Sequence, residues 1–86
     1  MTGRRNDVPP WALASGDYTV RTNGATGERI AWVVTPNGHG PARLEGWTLT
    51  EHGDGTITVS PSINALPDDS GPGWHGFLER GVWREA

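Results

Sequence analysis

Two hairpin signals between residues 47 and 84 restrict this chain to β-structure more than any other feature of the sequence. In the first, the runs W-T-L-T and T-I-T-V-S flank residues 51–55, whose Asp-Gly pair supplies the positive φ angle that a tight turn needs. In the second, W-H-G-F-L and V-W-R flank residues 79–81, where glycine fits a left-handed turn position. We therefore predict two antiparallel hairpins in this part of the chain.

Alternation and apolar runs predict two further strands and set the bounds of the two strands in the first hairpin. These four strands cover residues 17–22, 28–35, 43–50 and 56–60. Residues 28–35 are apolar on both faces, which is typical of a central strand. Gly46 interrupts the third of these runs, and Pro61 is expected to end the fourth because proline cannot donate to a sheet. Residues 64–73, rich in Pro, Asp and Gly, are predicted to be the longest loop.

No stretch of adequate length has helical periodicity, so the predicted class is all-β. We expect five to six short antiparallel strands in a small sandwich or half-open barrel, rich in loops. Residues 1–16 are predicted to be an extended N-terminal arm, since paired prolines favour extended backbone. Residues 17–86 form the single β domain. Trp11 is expected to anchor the arm, either on this domain or on a neighbouring copy.

Composition excludes several classes of function. The 86 residues contain no cysteine, which removes disulfides and thiolate metal sites. The net charge of −3 argues against generic nucleic-acid binding, and no apolar run approaches the roughly 18 residues that a membrane span needs. A chain this short buries a small core, and small scaffolds often gain stability by self-association. A homo-oligomer is therefore expected.

Three histidines are the side chains best suited to metal binding or to proton transfer near neutral pH. Zinc sites commonly take ligands from a knuckle and from a second hairpin. His39 lies in a Pro/Gly knuckle and His75 in the closing hairpin, and Asp68 or Asp69 would come from the long loop. The set His39, His75 and Asp69 is a weak metal candidate. Hydrogen-bonding roles for both histidines are the alternative, and no cofactor is predicted.

The tryptophans provide the other candidate site. Tryptophan beside arginine can stack on a base and hold a phosphate. Trp47, Trp74, His75 and Arg80 are therefore predicted to contact a ligand, with core packing as the alternative for each tryptophan. No G-x-S-x-G elbow surrounds the serines, and no glycine-rich stretch opens a helix. The sequence thus indicates binding rather than catalysis.

The P-S-I segment at residues 61–63 carries a family resemblance. It follows W-T-L-T and D-G-T-I-T-V-S and precedes W-H-G-F-L-E-R-G-V-W. Over roughly the last 55 residues the chain resembles a family of small uncharacterised phage and prophage proteins, which combine these segments with a knuckle of the type C-P-C-G-C-G. The resemblance implies a small β domain in which the knuckle and the closing hairpin hold a structural zinc. No established activity comes with the family.

This chain departs from that pattern at the knuckle. The cysteine positions are occupied by Thr35, Asn37 and His39, and the closing histidine corresponds to His75. The cysteine near the closing histidine has no counterpart. Since thiolates are the strongest zinc ligands in such sites, we expect a protein that keeps the fold without the metal.

Three functions are consistent with the sequence. The leading hypothesis is a non-enzymatic phage-encoded binding protein that sequesters a nucleotide-type host defence signal. The second is a virion or assembly accessory protein that docks on a phage structural protein through residues 1–16. The third is a minimal metal-dependent hydrolase that uses His39, His75 and Asp69. The expected location is the host cytoplasm, with the virion as the alternative.

Overall fold

The structure is a computed structural model that describes residues 1–69 and 71–86, and over these residues it contains two β-sheets. The strands are β1 (Arg4–Arg5), β2 (Asp17–Thr22), β3 (Arg29–Val33), β4 (Ala42–Arg43), β5 (Thr48–Glu51), β6 (Ile57–Ala65), β7 (Trp74–Glu79) and β8 (Val82–Glu85). The first sheet has the order β1-β2-β3-β4 and the second β5-β6-β7-β8; the two do not close into a barrel. Neighbours are antiparallel except β1 and β2. The predicted all-β class is confirmed.

The predicted count of five to six strands is not confirmed, because the described part of the chain contains eight. Two of them, β1 and β4, are only two residues long and carry no alternation that could be recognised. In addition, the strand predicted over residues 43–50 is divided between the sheets: β4 pairs with β3, and β5 pairs with β6. The chain changes sheet around Gly46, whose φ angle of 90° suits glycine.

The hydrophobic core is built by side chains from both sheets. Val33 of β3, Ile57 of β6 and Leu78 of β7 are each 0% exposed. Trp74 and Trp83 also lie in this core and contact each other edge to face, with ring centroids 5.3 Å apart. Strand β3 lies between β2 and β4, so the prediction of a central strand over residues 28–35 is confirmed.

Strand β6 is longer than predicted, because it continues through Pro61 to Ala65. The strand thus continues past Pro61, but its regular pairing with β5 ends at Ser60, directly before Pro61, so the prediction that Pro61 ends regular pairing is confirmed for this neighbour. The pairing of β6 with β7 is irregular between Val59 and Ile63, and a bulged stretch of this kind accommodates a residue that has no N–H to donate. The predicted loop over residues 64–73 starts at residue 66 instead, and its Ser70 lies outside the described residues.

Both predicted hairpin turns are confirmed. Strands β5 and β6 are joined by residues 52–56, where the N–H of His52 donates to the carbonyl of Thr56. Strands β7 and β8 are joined by Arg80 and Gly81, with φ angles of 47° and 76°. Two consecutive positive φ angles define the hairpin turn that matches strand twist. A side chain on Gly81 would also approach the Tyr18 hydroxyl to 2.7 Å.

The first five residues join the two sheets. Thr2 bridges to Val82 at the start of β8, whereas β1 pairs in parallel with β2. The N–H of Trp83 donates to the carbonyl of Met1, and the amino group of Met1 donates to the carbonyl of Trp83. The segment predicted as an extended arm is therefore hydrogen-bonded to the domain that follows it.

Residues 6–16, which we call the strap, cover the outer face of the first sheet. Thr19 belongs to that face and is only 2% exposed, and its hydroxyl donates to Asp7 of the strap. Within the strap, Pro10 is buried in a single 3-10 turn, whereas Trp11 beside it is 80% exposed. The prediction that Trp11 anchors the segment on this domain is therefore wrong, and Pro10 takes that place. Contact of Trp11 with a neighbouring copy stays a prediction.

Asp17 at the start of β2 accepts three hydrogen bonds, two from the strap and one from Arg4 of β1. Its Oδ2 accepts from Asn6 Nδ2 at 3.0 Å, from the Ala14 N–H at 3.1 Å and from Arg4 Nη2 at 3.3 Å. Burial raises the pKa of Asp17, but the three donors outweigh it, and the pKa lies below its ordinary value of 3.8.

We predict that Asp17 makes the fold sensitive to acid. A carboxyl group whose pKa is lowered by folding stabilises the protein above its unfolded pKa, and that contribution is lost as pH falls through the folded pKa. Urea unfolding of the wild type should therefore show a free energy of unfolding that declines below about pH 4. Asp17→Asn should be less stable at neutral pH and should show a smaller decline.

The matched control is Asp69→Asn. Asp69 is exposed and makes no hydrogen bond or ion pair with the described residues, so this variant should keep the wild-type pH profile. If Asp17→Asn and the wild type showed the same pH profile, the role assigned to Asp17 would be wrong.

Candidate functional site

An open cleft lies where the strap meets the outer face of the first sheet. Its volume is about 430 Å³, within the range of small-molecule sites. We call it the Trp cleft. Its walls include Trp11, Arg21, Ile30, Trp32, Pro41 and Arg43. Pro10, Thr22 and Asn23 complete the lining.

Strand alternation places these side chains together. Tyr18, Val20, Ala31 and Val33 point into the core, so the residues between them point outward. The register then pairs Arg21 of β2 with Ile30 of β3, and Trp32 of β3 with Arg43 of β4. Three adjacent strands thus present alternating cationic and apolar groups on one face. The strap adds Trp11 from the other side.

The two tryptophans of the cleft are more exposed than Trp74 and Trp83. Trp11 is 80% exposed and Trp32 is half-buried. Both have ring surface open to the cleft, whereas Trp74 and Trp83 are buried against each other. An exposed large aromatic beside a concave surface is typical of a binding site, because the ring offers a large apolar face at little entropic cost.

The cations of the cleft are weakly neutralised. Arg43 Nη1 lies 3.1 Å from Glu45 Oε2 in an exposed pair, and such pairs contribute little. The side chain of Arg21 makes no hydrogen bond or ion pair with the described residues. Arginine presents a planar fork of donors that matches phosphate and carboxylate groups. Arg21 is therefore available to an anionic ligand.

The structure does not gather the four residues predicted from the sequence to bind a ligand. Trp74 is only 8% exposed and has almost no surface open to a ligand. Trp47 is half-buried and donates its indole N–H to the carbonyl of Ser62 at 3.2 Å. His75 is exposed, with Nε2 3.0 Å from Ser62 Oγ, and Arg80 lies in the turn at the far end of β7. Ligand contact by Trp47, His75 and Arg80 stays a prediction.

The residues predicted as a weak metal set are also apart. Over the described ranges, no three His, Cys, Asp or Glu side chains are close enough to hold a metal ion. His39 is buried, and its Nε2 lies 2.9 Å from the carbonyl of Leu66 and 3.1 Å from Asp68 Oδ1. His75 instead contacts Ser62, and Asp69 is exposed. The geometry therefore gives no support to a hydrolase built on these residues.

The knuckle at residues 35–40 is held by side-chain hydrogen bonds. The hydroxyl of Thr35 donates to Asn37 Oδ1 and accepts from the N–H of His39. Asn37 Nδ2 donates to the carbonyls of Pro72 and Gly73, both at 3.2 Å. Of the three positions where the resemblance places cysteines, Asn37 and His39 connect the knuckle to the loop before β7, and Thr35 bonds within the knuckle.

Comparisons with known proteins provide no identification: no family model, curated protein or solved structure matches this chain. The resemblance to small phage and prophage proteins therefore stays a prediction. In the part of the chain that the structure describes, no helix has the length and apolar character to cross a membrane.

Proposed function

We propose that this protein is a non-enzymatic binding protein that holds a nucleotide-like ligand in the Trp cleft. The observation that carries the proposal is the combination in one cleft of two accessible tryptophans with Arg21, a cation that has no partner among the described residues. Bases stack on aromatic rings, and arginine binds phosphate through paired hydrogen bonds. A nucleotide contains both groups.

In this proposal Trp11 and Trp32 supply the apolar surface for the base, and Arg21 and Arg43 supply positive charge for the phosphate. Asn23, at the edge of the cleft, offers an amide that can hydrogen-bond to a base. Binding of this kind needs no catalytic group. It is sufficient for sequestration, which is the role that we propose for a phage-encoded protein acting on a host defence signal.

The first experiment is a calorimetric titration with nucleoside monophosphates and the matching nucleosides. A phosphate bound by arginine contributes about 1.5–3 kcal/mol, so the best nucleotide should bind at least about tenfold more tightly than its nucleoside. Arg21→Gln should remove that difference. Arg80→Gln is the matched control, because Arg80 is also an exposed arginine and lies outside the Trp cleft.

Two results would contradict the proposal. If Arg80→Gln weakened nucleotide binding and Arg21→Gln did not, the site would lie on the second sheet, as the sequence first indicated. If no nucleotide bound, the exposed Trp11 would instead favour a protein that docks on a second copy of this chain or on a virion subunit. Native mass spectrometry would then show whether a homo-oligomer forms.

A further inference from the structure

A second concave surface adjoins the Trp cleft along strand β2, and side chains from both faces of this strand line it. We call it the Arg groove; its volume is about 370 Å³, and its lining includes Arg5, Asp7, Thr19, Arg21, Thr22 and Arg29. Arg21 and Thr22 line both surfaces. A ligand seated against the tryptophans and extended past Arg21 would therefore enter the Arg groove.

The other two arginines of the groove are held in place by carboxylates. Arg29 binds Glu51 through two parallel bonds, Nε to Oε2 at 3.0 Å and Nη2 to Oε1 at 2.7 Å, and its Nη1 donates to Thr22. Arg5 Nε donates to Asp7 at 3.0 Å, and its Nη1 donates to the carbonyl of Gly55. Side chains held in this way lose less rotamer entropy when they bind a ligand.

The local charge favours an anion. Arg5, Arg21 and Arg29 face two carboxylates, Asp7 and Glu51, which leaves one excess positive charge in a chain whose net charge is −3. Glu51 is not part of the groove lining. The surface of the groove is also mostly polar, whereas the Trp cleft is mostly apolar. The two surfaces therefore suit different parts of one molecule.

We infer, on the basis of the proposed function, that the Trp cleft and the Arg groove form one continuous site for a nucleotide with at least two phosphate groups. The base lies in the Trp cleft, the first phosphate lies at Arg21, and the second lies in the Arg groove near Arg5 and Arg29. Nucleoside diphosphates and dinucleotides share this chemistry.

Asp7 is the group in the groove that opposes an anion. The hydrogen bond from Arg5, followed by that from Thr19, keeps the pKa of Asp7 below its ordinary value, so the group is charged at neutral pH. Asp7→Asn removes the charge and keeps an oxygen that can accept from Thr19. This variant should therefore bind a second phosphate more tightly than the wild type does.

The test compares the affinities for AMP, ADP and the linear dinucleotide pApA by calorimetry, at one salt concentration. The second phosphate should make ADP bind about tenfold more tightly than AMP, as expected for a charge-assisted contact. Arg29→Gln should reduce the ADP-to-AMP affinity ratio, and Asp7→Asn should raise it. The thermal midpoint of each variant shows whether it is folded. If Arg29→Gln does not fold, the increase in the ADP-to-AMP affinity ratio expected for Asp7→Asn still tests the inference.

Each outcome has one meaning. Equal affinities for AMP and ADP, with AMP bound in the Trp cleft, would overturn the continuous site and leave the proposed function intact. If none of the three ligands bound, the proposed function itself would fail. Tighter binding of both ADP and pApA than of AMP would support the inference, and the tighter of the two would distinguish a diphosphate from a dinucleotide.

Discussion

Trp83→Ala is expected to lower the free energy of unfolding by about 3–5 kcal/mol, the usual cost of removing a buried aromatic side chain. Trp83 is 3% exposed and its ring contacts Trp74 edge to face. Its indole N–H donates to the carbonyl of Gly16 at 2.9 Å in a buried hydrogen bond. Alanine would leave a cavity and also an unpaired carbonyl where the strap meets the core. Domains are stable by only about 5–15 kcal/mol, so much of the stability would be lost.

Urea unfolding followed by circular dichroism measures this effect, and Trp11→Ala is the matched control. The same substitution at a position that is 80% exposed should change the free energy of unfolding by no more than about 0.5 kcal/mol. Trp83→Phe should fall between the two, because it keeps a ring and loses the N–H donor. Equal losses at positions 11 and 83 would show that the core is assigned incorrectly.

Trp11→Ala is expected instead to weaken nucleotide binding by about fivefold to a hundredfold, because stacking of a base on an aromatic ring contributes about 1–3 kcal/mol. Trp11 of the strap and Trp32 of the sheet both line the Trp cleft. Calorimetric titration of the variant with AMP measures the loss. Trp11→Phe should retain most of the affinity, because it preserves a ring that can stack.

A second comparison separates this site from the one indicated by the sequence. Trp47→Phe removes the indole N–H that donates to Ser62 but leaves the Trp cleft unchanged. It should therefore bind AMP as the wild type does. If Trp47→Phe lost affinity for AMP and Trp11→Ala kept it, the site would have to be assigned to the second sheet.

The sequence predicted the hairpins and the all-β class because these depend on local signals. Gly55 and Gly81 have positive φ angles, which few residue types other than glycine adopt, and the flanking runs have the apolar content of strands. Strand β6 was harder to predict, since a proline inside a strand is tolerated only where the pairing is irregular. That irregularity lies in the pairing of β6 with β7, and the sequence of β6 alone does not show this pairing.

The Trp cleft could not be predicted from local patterns, because its residues come from four separate segments. Alternation in β3 places Trp32 on one face and Val33 on the other, but both faces of this strand are apolar. Nothing in the strand itself shows which face is the core. The structure shows that the strap covers the face with Trp32, whereas Val33 lies in the core. Within the strap, Pro10 is buried and Trp11 is exposed.

The structure favours core packing, the alternative to ligand binding, for Trp74. Trp74 and His75 are neighbours in β7 and point to opposite faces of the second sheet. Only one of them could be exposed, and the structure places His75 outside and Trp74 in the core. Arg21 and Trp32 lie on the outward face of adjacent strands, and the pairing of β2 with β3 is what shows that they belong to one surface.

The measurement that tests the binding proposal most directly is a nitrogen–proton correlation spectrum of the indole N–H groups during titration with AMP. The chain has five tryptophans and therefore five separate reporters. We expect the signals of Trp11 and Trp32 to shift as the site fills, and those of Trp47, Trp74 and Trp83 to stay in place. Shifts confined to Trp47 and Trp74, with Trp11 and Trp32 unchanged, would contradict the account.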